Sequence, residues 1–153
     1  MGGAIMTLKE QIEGALKDAI RSRDETRRNA LRMLLTAMKN KEKEVRRELE
    51  TAEIRQLIGA AMKQRREAAE LYRKGGREDL ASVEERESEV LREFLPEPLS
   101  REALEALVDE VIREVGAAGP KDMGKVMQAI MPKVAGRAEG KAVNDCVRRR
   151  LTS

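Results

Sequence analysis

Histidine and tryptophan are absent from this chain of 153 residues, and cysteine, tyrosine and phenylalanine occur once each. These absences exclude a zinc site of cysteine and histidine, a cysteine–histidine nucleophile and an internal disulfide. Acid–base chemistry would then need carboxylates or lysines whose pKa values are shifted by burial. Phosphate-loop, nucleophile-elbow and Ser-x-x-Lys motifs are also missing. We therefore expect no catalytic residues, no cofactor and no metal ion.

The shortage of aromatic residues limits how RNA could be bound. Helical spacing places Tyr72 and Phe94, the two aromatic residues, on inner helix faces. Stacking on unpaired bases is then not available, so contact with RNA would be made to its backbone and shape. Such binding weakens steeply as salt is added.

Long apolar segments are missing as well. Nowhere do 18 apolar residues run together, and the first residues lack the basic and apolar regions of a signal peptide. The sequence predicts a soluble, cytoplasmic protein that makes no membrane contact.

The composition instead favours amphipathic helices, because 39% of the residues are charged and 41% are hydrophobic, with four prolines. We expect an all-α fold, with a bundle of about four helices over residues 1–95 and a three-helix unit over residues 96–153. Pro96 and Pro98 mark the boundary, since each forces the preceding residue away from helical geometry. A Gly75-Gly76 turn predicts that the third and fourth helices form an antiparallel hairpin.

Capping residues and apolar spacing predict where the helices lie. The second helix is expected to carry its apolar face as far as Leu49. The fourth is expected to place Val83 and Phe94 on its inner side, and Pro132 is expected to end the sixth. In the last helix the spacing favours a buried Cys146 over a reactive thiol. The expected N-caps are Thr7, Asp24, Thr51 and Ser100.

Positive charge is concentrated near the C-terminus. Residues 119–153 hold eight basic and three acidic side chains, a net charge of +5, whereas the other 118 residues have a net charge of −2. A polyanionic partner would therefore bind the last third of the chain. The Arg148–Arg150 run could contact an RNA backbone or stabilise a helix C-terminus. The mixed-sign stretch 39–48 is typical of a solvated helix face rather than of a nucleic-acid surface.

A turn with two glycines is the sharpest candidate site. Gly136 and Gly140 precede the last helix, whose first N–H groups and neighbouring cations suit a phosphate. Equally, Gly136 could serve only the turn, Gly140 only helix packing, and Glu139 the helix dipole. The candidate RNA-binding residues are Lys121, Lys125, Lys133, Arg137 and Lys141.

Five short stretches of the chain form motifs: 94–100 (Phe-Leu-Pro-Glu-Pro-Leu-Ser), 121–127 (Lys-Asp-Met-Gly-Lys-Val-Met), 136–141 (Gly-Arg-Ala-Glu-Gly-Lys), Leu31-Arg32-Met33 and 76–80 (Gly-Arg-Glu-Asp-Leu). Together they resemble the GatB/YqeY family, which comprises small stand-alone proteins and the helical tail domain of an aspartyl/glutamyl-tRNA amidotransferase subunit. The resemblance covers nearly the whole chain and implies a tRNA-facing role without the catalytic portions of the amidotransferase.

The first hypothesis for function is a non-catalytic tRNA-associated module that binds tRNA or another structured RNA through the basic C-terminal unit. The second is an adaptor that docks a protein such as an amidotransferase component, through the second helix or through Met123, Met127 and Met131. For those methionines the favoured interpretation is burial in the core of the unit itself. The third, which the resemblance alone implies, is an accessory role in carbon–nitrogen ligation with glutamine as amide donor.

Overall fold

The computed structural model describes residues 6–152, and all regular secondary structure within that range is helical. The prediction of an all-α fold is confirmed. The prediction that the chain has no signal peptide concerns mostly residues 1–5, which lie outside the described range. The helices are α1 (Leu8–Arg21), α2 (Glu25–Val45), α3 (Thr51–Lys74), α4 (Glu78–Arg92), α5 (Arg101–Val115), a 3-10 turn (Pro120–Asp122), α6 (Met123–Val134) and α7 (Gly140–Thr152).

The chain divides between Leu95 and Pro96 into two compact units. In the N-terminal unit, α1 to α4 enclose an apolar core that contains Ile12, Leu34, Ile58 and Leu91. Within this unit α3 and α4 form the hairpin, with Gly76 in the left-handed conformation at φ 75°. The C-terminal unit has a separate apolar core that contains Val108, Ile130 and Val143.

Most helix starts follow local capping signals. Thr7 and Glu10 form a capping box, in which the Thr7 Oγ1 accepts the Glu10 N–H at 3.1 Å. Asp24 and Ser100 also accept the expected backbone N–H groups. The third helix differs from the prediction, because Thr51 is its first helical residue and Glu50 occupies the N-cap position.

Two helix ends were predicted wrongly. Arg46 adopts a left-handed conformation at φ 58° and ends α2 at Val45, so Leu49 lies beyond the helix, although it packs against the same core. Helix α6 continues through Pro132 to Val134. Val134 is fully buried, and we attribute the extra turn to the packing that holds it there despite the missing donor of the proline.

The predicted inner faces also need correction in the N-terminal unit. Ala69 is the last buried residue of α3, and the side chain of Tyr72 after it is 38% exposed. Leu71 beside it is 69% exposed. Val83 on α4 is likewise exposed, whereas Phe94 lies just past α4 and packs against the core. The prediction that both aromatic side chains face inward is therefore wrong for Tyr72.

Candidate nucleic-acid interface

Three helices carry the candidate residues in the C-terminal unit. Helices α5, α6 and α7 pack against one another around fully buried Val108, Ile130 and Val143. The methionines of α6 are half-buried against this core, so their apolar surface is largely used within the unit. The charged side chains therefore lie outside a core made of apolar residues and one buried cysteine.

The turn between α6 and α7 is fastened to the segment that precedes α5. The Arg137 Nε donates a hydrogen bond to the carbonyl of Glu97 at 3.0 Å, and the Leu99 N–H donates to the carbonyl of Arg137 at 2.8 Å. Gly136 has φ 75°, which favours glycine. Gly136 thus serves the turn, as one of its two interpretations expected, whereas the hydrogen bond of Arg137 was not predicted because Glu97 is 40 residues away.

Lys133 forms a surface ion pair with Glu114 of α5, with the Nζ 3.5 Å from a carboxylate oxygen. Both side chains are about half exposed, and such pairs contribute little to stability. Lys121, Lys125 and Lys141 are exposed, and within residues 6–152 none of them forms an ion pair shorter than 4.0 Å. These three lysines are the candidate residues whose charge is least compensated.

The five candidate cations fall into two groups along the chain. Lys121 lies in the 3-10 turn and Lys125 in the first turn of α6, whereas Lys133, Arg137 and Lys141 surround the α6–α7 junction. Lys125 and Lys133 are eight residues apart, about 12 Å along the helix axis. The 3-10 turn that carries Lys121 packs against both α6 and α7.

An acid lies within the first group. Asp122 accepts the N–H of Ala118 at 2.8 Å, and this hydrogen bond is the main reason why the pKa of its carboxyl lies below the usual range. Through this hydrogen bond the Asp122 carboxylate stabilises the loop before α6. It also lowers the positive potential beside Lys121 and Lys125.

The start of α7 retains the features of an anion site. Val143 donates its N–H to the carbonyl of Glu139, so the N–H groups of residues 140–142 precede the helical hydrogen-bond pattern. A side chain placed at Gly140 would meet no atom within 4 Å. Helix packing therefore does not require glycine at this position.

The arginine run at the end of α7 is partly paired with acids. Arg150 makes hydrogen bonds to both carboxylate oxygens of Asp109 on α5 and lowers the pKa of that carboxyl. Arg148 lies 3.8 Å from a carboxylate oxygen of Asp145. Arg150 thus ties α7 to α5, a role that neither interpretation of the run included.

The net charge of the whole C-terminal unit is much smaller than that of its last segment. Residues 96–153 contain ten basic and nine acidic side chains, a net charge of +1. The difference comes largely from the acidic residues of α5, which packs beside α6 and α7. Polyanion attraction would therefore depend on the local positions of exposed lysines and not on a strong overall field.

The mixed-charge stretch at the end of α2 belongs to the N-terminal unit and forms several ion pairs. Glu42 lies 3.3 Å from Lys9 of α1, and Lys41 lies 3.6 Å from Glu44. Arg47 lies 2.7 Å from Glu53, whose pKa is lowered to about 2 chiefly by this hydrogen-bonded contact. Two of the five cations in this stretch, Lys41 and Arg47, are therefore matched by neighbouring acids.

Reactive groups are scarce in the part of the chain that the structure describes. Residues 6–152 contain no group of three acidic or cysteine side chains placed to hold a metal ion, and none of their helices is long and apolar enough to span a bilayer. Cys146 is buried, as predicted, and burial raises the pKa of its thiol. A buried thiol with a raised pKa is less reactive than an exposed one.

Comparison with known proteins finds a matching family and several similar proteins. The family described as Yqey-like protein matches residues 9–151. Altered inheritance of mitochondria protein 41, mitochondrial, from Lachancea thermotolerans is 31% identical over 108 residues, which cover 69% of this chain and 58% of that protein. Its namesake from Eremothecium gossypii is 31% identical over 125 residues, 78% of this chain and 68% of that protein.

A short match connects the chain to a much larger protein. A glutamyl-tRNA(Gln) amidotransferase subunit of Thermococcus gammatolerans is 40% identical over 57 residues, which cover 35% of this chain and 9% of that protein. The chain thus spans a little more than half of the first relative and less than a tenth of this larger one.

Proposed function

The chain belongs to the YqeY-like protein family, as its motifs predicted, and on that basis we propose that it is a non-catalytic module that binds the backbone of a structured RNA. The first candidate is tRNA. One observation carries the proposal: Lys121, Lys125 and Lys141 are exposed around α6 and the start of α7, and Asp122 is the acid that offsets part of the charge of the first two. Lysines of this kind are suited to phosphate groups.

The amidotransferase relative supports the choice of RNA. Its name assigns that protein an action on tRNA, and the shared stretch is a small fraction of its length. A binding role is therefore the most that we extend to this chain. Participation in carbon–nitrogen ligation stays a prediction, to be tested by adding the chain to a glutamine-dependent amide-transfer assay.

The binding mode follows from what surrounds the lysines. The N–H groups at the start of α7 would receive one phosphate beside Lys141, while Lys121 and Lys125 would contact others along the backbone. Three phosphate contacts predict a slope of log affinity against log salt of about −2 to −3. Because the unit has a net charge of only +1, long-range attraction adds little.

The test is fluorescence anisotropy of labelled bulk tRNA titrated with the full chain. Between about 50 and about 200 mM salt we expect the affinity to fall roughly 20- to 40-fold. Replacing Lys121, Lys125 and Lys141 with alanine should abolish most of the low-salt binding. The matched control replaces three of the exposed lysines of the N-terminal unit, Lys17, Lys39 and Lys63. Equal loss in both triple variants, or no binding of the unmodified chain, contradicts the proposal.

A protein-docking role is the second candidate, and the exposure of Leu71 and Tyr72 at the end of α3 favours it. Alanine at both positions should then remove a partner that the chain captures from nuclease-treated lysate. A partner that disappears with nuclease treatment supports the RNA proposal instead. We also propose a cytoplasmic location for this chain. The two namesake relatives carry the word mitochondrial, so this location is not taken from them.

A further inference from the structure

A polar cleft of about 550 Å³ lies between α2, α3 and α4 of the N-terminal unit. Its size is within the range of small-molecule sites in proteins. Six polar side chains line it, two of each kind: arginine, glutamate and carboxamide. They are Asn29, Arg32, Gln64, Arg65, Glu84 and Glu87.

Arg65 is a buried residue among those that line the cleft. Arg65 is 5% exposed and donates three hydrogen bonds of 3.3 Å each, to the Glu87 Oε2, the Ala61 carbonyl and the Met33 Sδ. A guanidinium has five N–H donors, so two have no acceptor among the residues that the structure describes. Each of the three guanidinium nitrogens thus has one partner, and the two remaining N–H groups are available to an acceptor that enters the cleft.

The rims of the cleft present one unpaired charge of each sign. Arg32 on α2 and Glu84 on α4 both line the cleft, yet neither forms an ion pair within the range 6–152. Burial raises the pKa of Glu87, and the neighbouring charge of Glu84 adds to the effect while Arg65 opposes it. A positively charged group between the two carboxylates would relieve that repulsion.

The two carboxamide side chains of the lining, Asn29 and Gln64, supply further hydrogen-bond donors. The Asn29 Oδ1 accepts two hydrogen bonds from Arg28, each at 3.4 Å, so the oxygen is occupied and the amide NH₂ group is left for a ligand. Gln64 is exposed one residue before Arg65 on α3. Met33 and Ala68 supply the apolar part of the wall. The cleft therefore offers hydrogen-bond donors, carboxylates and an apolar surface within one volume.

We propose that this cleft binds a free α-amino acid. The ligand carboxylate accepts from Arg65 and Arg32, with the carboxamides as additional donors, and its ammonium group lies against Glu84 and Glu87. A simple dicarboxylate would meet these two acids, and a simple amine would leave the arginine donors unused. This site is in the other compact unit from the proposed RNA site, so the two proposals can fail separately.

The test uses the full chain and the twenty standard L-amino acids, screened singly by saturation-transfer NMR and measured by titration calorimetry. We expect at least one of them to bind more tightly than about 10 mM. Glutarate and butylamine, which each lack one of the two charges, should bind at least tenfold more weakly. Failure of all twenty amino acids, or equal binding of glutarate, overturns the proposal.

Two rim variants locate the ligand without disturbing the buried pair. Arg32→Gln and Glu84→Gln should each weaken binding about tenfold, since each removes a charge-assisted contact. The matched controls are Lys63→Gln on α3 and Glu89→Gln on α4, which carry the same charge changes outside the lining. Thermal unfolding of each variant checks that the fold is kept. If the rim variants bind as well as the controls, the site is not this cleft.

Discussion

The two compact units hold their charges in different ways. Within the described range, the buried polar residues Arg65, Glu87 and Ser88 all belong to the N-terminal unit. In the C-terminal unit the buried positions are apolar or cysteine, and the ion pairs lie at the surface. The C-terminal unit, which holds the most basic segment, thus has an apolar core. The N-terminal unit contains a buried pair of opposite charges that lines a cleft.

This difference changes where specificity is expected. Surface lysines bind phosphates of many sequences, because they carry no directional code. A buried guanidinium with fixed donors recognises a particular arrangement of acceptors. We therefore expect the C-terminal unit to bind RNA in a salt-sensitive way and the N-terminal unit to select a small ligand.

The largest effect is expected from breaking the buried pair. Glu87→Leu leaves the Arg65 guanidinium buried without its counterion and should lower the free energy of unfolding by about 3–5 kcal/mol. Chemical denaturation followed by circular dichroism measures this change. The double variant Arg65→Met with Glu87→Leu should recover most of the loss. If single and double variants are equally unstable, charge burial is not the cause.

The second effect concerns the turn that supports the C-terminal site. Gly136 has φ 75°, so Gly136→Ala should destabilise the protein by about 1–2 kcal/mol. Gly140 begins α7 in open space, so Gly140→Ala should be neutral or stabilising by up to about 1 kcal/mol. Urea melts of the two variants compare them directly. A similar loss at both positions would show that the turn geometry is not what requires glycine.

A smaller loss is expected at Arg137. Arg137→Met removes the hydrogen bond to the Glu97 carbonyl and should cost about 1 kcal/mol of unfolding free energy. Lys133→Met breaks only an exposed ion pair and should change stability by less than about 0.5 kcal/mol. A larger effect at Lys133 than at Arg137 would reverse the roles that we assign to them.

Two carboxyl groups, Glu87 in the N-terminal unit and Asp109 in the C-terminal unit, should respond to acid in opposite directions. The folded pKa of Glu87 is raised by burial, so its contribution to stability is present at low pH and is lost as the pH rises through that pKa. The folded pKa of Asp109 is lowered by Arg150, so its contribution is lost as the pH falls through that pKa. Carbon-detected NMR titration of the carboxyl groups should find Glu87 above and Asp109 below their ordinary values. The same direction of shift for both would contradict this contrast.

Local signals in the sequence were sufficient for much of the fold. The caps at Thr7, Asp24 and Ser100 and the glycine turn after α3 depend on neighbouring residues, and their prediction is confirmed. The errors at Pro132 and Tyr72 concern packing, since burial of Val134 extends α6 while the core ends before Tyr72. Periodicity alone cannot give the depth of a core.

The contacts that define the two sites are mostly non-local, which is why the sequence did not predict them. Arg137 meets Glu97 and Arg150 meets Asp109 across 40 and 41 residues. For the cleft, one signal was available: Arg65 follows Met62 by three residues on the buried stripe of α3, and Glu87 lies on the inner stripe of α4. Opposite charges on two inner stripes of one hairpin predict a buried pair.

The most direct measurement of the central proposal is an NMR titration of the full ¹⁵N-labelled chain with bulk tRNA at low salt. We predict that amide shifts concentrate around Lys121, Lys125 and residues 140–142 and disappear when salt is raised. Shifts confined to the N-terminal unit, or no shifts at low salt, would contradict the assignment of RNA binding to the exposed lysines of the C-terminal unit.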